Sequence, residues 1–151
     1  MNSDIDIGSV LPEIVSETFE GMAFLEVWPS TESIPGLEDL QWLWARVGVH
    51  TPVCGVITVA LPGDLAQKVT RQMYGVIEEK DLKRTVLDAM GEIANTIAGK
   101  LVGKVVPEKK VMNLGLPETG KGFPDYASPL THVFCTDEGM PVIIAADLEE
   151  N

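Results

Sequence analysis

Residues 87–101, LDAMGEIANTIAGKL, carry two patterns at once. Met90, Ile93, Ile97 and Leu101 recur at the spacing of one helix face. At about 100° per residue, Asp88, Glu92, Asn95 and Gly99 fall within roughly 60° of one another on the opposite face. The three polar side chains form a line about 10 Å long at ~1.5 Å rise per residue. The periodicity extends from about Lys80 to Val105 through Leu82, Val86, Leu87, Ala94 and Ile97, and Pro107 stops it.

Outward from this helix, the spacing of Val10, Ile14, Val15, Met22 and Leu25 predicts a second one, ended by Trp28-Pro29. Residues 29–38 read as a loop. Two apolar runs rich in Val, Ile and Trp, Leu40–Val49 and Val53–Leu61, flank His50-Thr51-Pro52 and predict a hairpin. Pro62-Gly63-Asp64 breaks the second run and offers Asp64 as the cap of a short helix, Leu65–Tyr74, ending at Gly75. A strand is expected over Val111–Leu116, turns over 117–129, and a second hairpin, His132–Cys135 with Val142–Ala146, across Asp137-Glu138-Gly139. Shifting the first helix by 72 residues lays Val10, Ile14, Val15, Met22 and Leu25 on Leu82, Val86, Leu87, Ala94 and Ile97. In both halves a helix precedes a strand-like stretch and a hairpin. The expected class is α+β, with two long pseudo-symmetric helices on a mostly antiparallel sheet.

The 151 residues suit one domain, read as residues 10–148 behind a flexible leader, 1–9. Hydrophobic residues make up 45% and aromatic ones 6%, a globular composition. The net charge of −12 argues against non-specific nucleic-acid binding and against an anionic membrane surface. The start, MNSDIDIGSV, lacks the basic and apolar pattern of a signal peptide, and the longest apolar run, near Val53–Leu61, is too short to span a bilayer. Cys54 and Cys135 lie in strand-like runs without ligand spacing, so buried free thiols in a reducing cytoplasm are expected.

The polar stripe could be a plain solvated helix face. Two residues argue otherwise: asparagine is a poor mid-helix residue, and Gly99 costs about 1 kcal/mol relative to alanine. Small residues beside an amide and a carboxylate suit a surface that another macromolecule approaches closely. Two carboxylates and an amide in a line do not converge on a metal. His50 and His132 lie near strand ends, and no Ser-His-Asp grouping is evident. Residues 115–122, GLPETGKG, nearly spell a phosphate-binding loop. However, Gly122 stands where a hydroxyl should hold Mg²⁺, and Phe123-Pro124 follows where the helix should begin.

Asp88-x-x-x-Glu92-x-x-Asn95 within LDAMGEIANTIAGKL, followed by Pro117, resembles the signature of the CheC/CheX/FliY chemotaxis phosphatases. RVGVHTPVCGVITVAL (46–61), the PGDLAQKVTRQMYG helix and LVGKVVPEKKVMNLGLP follow in that family's order, so the resemblance covers roughly residues 10–148. It is greatest to the CheX branch, in which one of the two helices carries the motif. Here the first helix has Ser16-x-x-x-Glu20-x-x-Ala23, with Ala23 in place of the asparagine. The resemblance implies a CheX-like fold and dephosphorylation of a phosphorylated, CheY-like receiver domain. It implies that Asn95 orients the attacking water, Glu92 docks on the receiver's lysine, and Asp88, Gly99 and Pro117 border the contact. It also implies no cofactor of the chain's own, with Mg²⁺ expected from the receiver.

Two other readings stand beside it. A non-catalytic receiver-binding or scaffold module would use the same residues, and a nucleotide-binding protein would depend on Lys121. Trp42 and Trp44 share a strand face that packs in a core or meets a partner, and sheet edges that can pair between chains leave a homodimer possible.

Overall fold

The computed structural model describes residues 6–30, 36–51, 53–105, 112–122 and 131–150. The elements run α1 (Ile7–Ala23), β1 (Val27–Pro29), a 3₁₀ turn (Leu37–Asp39), β2 (Trp42–Thr51), β3 (Val53–Pro62), α2 (Gly63–Tyr74) and α3 (Glu79–Val105). They continue with β4 (Asn113–Leu114), β5 (Glu118–Lys121), β6 (Thr131–Thr136) and β7 (Pro141–Glu150).

The strands form one antiparallel sheet in the order β1-β6-β7-β3-β2-β4, with β5 also paired to β2. Exchanging β1 with β4, β2 with β6 and β3 with β7 reverses that order onto itself. The repeat expected from the 72-residue shift is thus present as a pseudo-twofold about the central β3–β7 pair, where Ile57 faces Ala146 and Val59 faces Ile144. Among the described residues, α2 and β5 have no counterpart in the other half.

The two long helices pack on one face of the sheet. Leu11, Ile14 and Phe19 of α1 meet Met90, Ile93, Ile97 and Leu101 of α3, together with Val47, Ile57 and Ile144 beneath, and every one is at most 1% exposed. Those four α3 residues are the apolar face read from the sequence. On the other face Trp42 forms a second small cluster with Ala60 and Ile143, and its indole N–H donates to the Leu37 carbonyl at 2.6 Å. Trp44 shares that face, half-buried against Gly120, with Arg46 stacked 5.2 Å from its ring. Core packing, rather than a partner surface, accounts for Trp42.

Several expectations need correcting. The helix α1 starts at Ile7, inside the stretch read as leader, because Asp6 caps it by accepting from the Ser9 N–H and Ile7 is buried. It ends at Ala23 rather than at Trp28-Pro29. Phe24 takes a left-handed conformation (φ 54°) and bonds back to Glu20, which turns Leu25 into the core. Val27–Pro29 is an edge strand paired with β6. Asp64 is not the cap of α2; Gly63 already belongs to the helix, so Asp64 sits in its first turn, where its charge suits the helix dipole. The strand expected over Val111–Leu116 is Asn113–Leu114, and within the expected turns Glu118–Lys121 pairs with β2. Pro52, Pro107, Val111 and residues 123–129 lie outside the described residues. Cys54 is exposed and Cys135 half-buried, so neither is the buried thiol expected, although both are free. Cys54 alternates with the buried Val53 and so points to the outer face of β3.

Candidate functional site

The exposed side of α3 forms the floor of an open groove of about 890 Å³. Asp88, Glu92 and Asn95 line it along the helix, Tyr74 closes it at the end of α2, and Leu116 and Pro117 border it on the far side. A buried glycine, Gly91, makes the groove narrow: a Cβ there would lie 3.2 Å from Cβ of Pro117. The connector therefore packs directly on the helix backbone, next to Glu92.

The three polar side chains of the stripe are exposed, while Ala89, Met90, Ile93 and Ala94 between them are at most 1% exposed. The Asn95 carboxamide makes no hydrogen bond to any described residue, so both its oxygen and its NH₂ are available to water or a partner. Across the groove from Glu92, Tyr74 of α2 lines the same space. Partial removal from water and the nearby carboxylates of Glu92 and Asp88 push the Tyr74 phenol up to about 12.

The structure thus brings Asp88, Glu92, Asn95 and Pro117 to one groove. Gly99 does not line it; it follows one turn on, with open space where a side chain would be. On α1, Glu20 is exposed but Ala23, at the asparagine position, is fully buried. The sequence reading missed Tyr74 and Gly91.

Among the described residues no three His, Cys, Asp or Glu side chains cluster as metal ligands. The histidines belong elsewhere. His50 lies against Gly48 and Gly115, and His132 sits near Gly8 at the start of α1, where burial lowers its pKa. Nor is GLPETGKG a phosphate cradle: Glu118–Lys121 is a strand in register with Leu43–Arg46, its backbone committed to the sheet. No helix of the described residues is long and apolar enough to cross a membrane.

Residues 43–130, more than half of the chain and all of the groove, match the family model described as "Chemotaxis phosphatase CheX". Among solved structures the chain is similar to a CheX–CheY–BeF₃–Mg²⁺ complex from Borrelia burgdorferi, at 19% identity and TM-score 0.72 over 97% of this chain and 99% of that one. It is also similar to a chemotaxis protein CheX from Vibrio vulnificus (19%, 0.73, covering 99% and 100%). A putative chemotaxis protein from Desulfovibrio vulgaris Hildenborough gives 18% and 0.73 over the same shares. At such identities the structural likeness speaks for the fold. No curated protein matches the chain significantly in sequence.

Proposed function

The chain belongs to the CheX family of chemotaxis phosphatases, and from that membership we propose that it hydrolyses the aspartyl phosphate of a CheY-like receiver domain. The observation that carries this reading is the exposed Asn95 carboxamide, without a hydrogen bond among the described residues and one turn from Glu92 on a groove floor. Such an exposed amide is suited to a water.

An aspartyl phosphate is an activated mixed anhydride, so a helper protein has little covalent chemistry to perform. Water attacks phosphorus while the bond from phosphorus to the aspartate oxygen breaks, leaving a free carboxylate and inorganic phosphate. Positioning and electrostatics dominate such transfers. Asn95 enters the receiver's site, and its carboxamide oxygen accepts from the water and aims the lone pair in line with phosphorus. Glu92 pairs with the receiver's lysine and sets the register of α3 on the partner. Asp88 borders the contact, Pro117 walls it, and the open surface at Gly99 admits the partner's backbone. The Borrelia relative was captured with CheY, BeF₃ and Mg²⁺. By that example the receiver supplies the Mg²⁺, which neutralises charge on the phosphoryl oxygens. The chain would then work in the cytoplasm, beside its receiver.

The groove's rim is apolar. Met112 is 47% and Leu116 89% exposed, an arrangement that excludes water around a polar centre once a protein docks. A surface of charge −12 gives little long-range attraction to an acidic receiver, so recognition falls to short-range pairs such as Glu92 with lysine. Accordingly, Glu92→Ala raises the receiver concentration for half-maximal dephosphorylation about tenfold or more, the loss of one charge-assisted hydrogen bond. Steady-state kinetics on a phosphorylated receiver check this, and an unchanged KM would remove Glu92 from docking.

A further inference from the structure

β4 and β5 are one interrupted strand along β2, and Pro117 lies in the interruption. Leu114 pairs with Val49 and Glu118 with Arg46, so the three residues 115–117 oppose only Val47 and Gly48. The extra residue makes a bulge, a device that bends a strand and re-aims its side chains. Both ends of the bulge are tied to β2: the Gly115 N–H donates to the Gly48 carbonyl at 2.7 Å, and Glu118 begins the ladder of β5. Within it, Pro117 lies on Gly91 of α3, and Leu116 stands exposed at the border of the groove. Setting aside the helix backbone around position 91, only Pro117 among the described residues would come within 4 Å of a Cβ there.

We infer that Gly91 is a positioning residue: its missing side chain seats Pro117 on the α3 backbone and so holds Leu116, an apolar anchor for the receiver domain, at one distance from Glu92 and Asn95. This rests on the reading of the groove as the receiver's docking site. The seat is tight. A Cβ at position 91 would meet Cβ of Pro117 at 3.2 Å and Cγ at 3.5 Å, so one side must give by a few tenths of an ångström. The helix cannot retreat, because Met90 and Ile93 beside Gly91 pack in the core. A bulge pinned at both ends cannot slide along β2, so the displacement passes to Leu116. So exposed a leucine adds nothing to the core. Held out on a pinned bulge, it has little freedom left to lose on binding, which makes it a preorganised contact.

Two readouts test the inference. In the free protein, Gly91→Ala and Pro117→Gly are compared singly and together by denaturant unfolding. Alanine in place of a mid-helix glycine raises the midpoint where nothing stands in its way. Gly91→Ala therefore leaves the midpoint at or below that of wild type, and raises it once Pro117→Gly has emptied the seat. An equal rise in both backgrounds would mean that Pro117 does not sit on Gly91, and would overturn the inference without reference to any receiver. In kinetics on a phosphorylated receiver, Gly91→Ala raises KM about three- to tenfold with kcat little changed, the range for losing part of one apolar contact. Leu116→Ala does the same, and the two together go no further than Leu116→Ala alone. Effects that multiply would mean that Gly91 does not act through Leu116 and would overturn the positioning role, as would an unchanged KM in Leu116→Ala. A wild-type chain that accelerates no dephosphorylation removes the phosphatase reading instead, and the same cycle is then decided on the Kd for a BeF₃-treated receiver.

Discussion

Asn95→Ala lowers the acceleration of receiver dephosphorylation on the order of 100-fold or more, while binding to a BeF₃-treated receiver stays within a few-fold of wild type. The size follows from removing one preorganised polar group at the reacting water, which in other enzymes costs ~10²–10³ in kcat. Loss of fold cannot explain such a result. The side chain is exposed, bonds to no described residue, and sits mid-helix, where alanine is the better helix former. The variant should therefore melt no lower than wild type. A change that leaves stability and binding intact but removes turnover separates a phosphatase from a receiver-binding scaffold, which has no turnover to lose. Unchanged turnover in Asn95→Ala would take the water-orienting role from this residue.

Gly55→Ala destabilises the protein by about 3–5 kcal/mol, the range of substitutions that break packed backbone. Gly55 has φ 151° and lies in β3 opposite Leu148 of β7. A Cβ there would fall 1.8 Å from the Asp147 carbonyl oxygen, which belongs to backbone and cannot swing away. The strands must part, and β3–β7 is the pair that joins the two pseudo-symmetric halves. Denaturant unfolding of Gly55→Ala beside Gly99→Ala makes the comparison sharp. Gly99 sits in a helix with nothing within 4 Å of its would-be Cβ, so alanine there adds up to about 1 kcal/mol. A midpoint for Gly55→Ala equal to wild type would contradict the close approach of β3 and β7.

The α3 helix was legible in the sequence because it buries one side only, and both hairpins because their apolar runs are bounded by turn residues. Met90, Ile93, Ile97 and Leu101 recur with the helical period, and Val53, Ile57 and Val59 alternate along a strand. What escaped notice lacks that signature. The sequence Glu-Thr-Gly-Lys of β5 has no apolar residue, and it is held by backbone pairing to β2, with Gly120 leaving room for the Trp44 ring. The end of α1 was hidden because Phe24, 75% exposed, occupies a left-handed position that usually marks itself with glycine. At the site, Asp88, Glu92 and Asn95 follow from helix spacing alone. The place of Tyr74 on the same groove does not, since it comes from α2 across a turn and no local pattern registers it. The same holds for Gly91, whose small size matters only because Pro117 returns to lie on it.

The measurement to make is the rate of phosphate loss from each phosphorylated receiver of the host, with and without the wild-type chain, at one salt concentration. We predict that at least one receiver loses phosphate on the order of tenfold faster or more, in a manner that saturates with receiver concentration. No acceleration on any receiver, by a chain that still binds one of them, would contradict the phosphatase and leave the groove as a docking site.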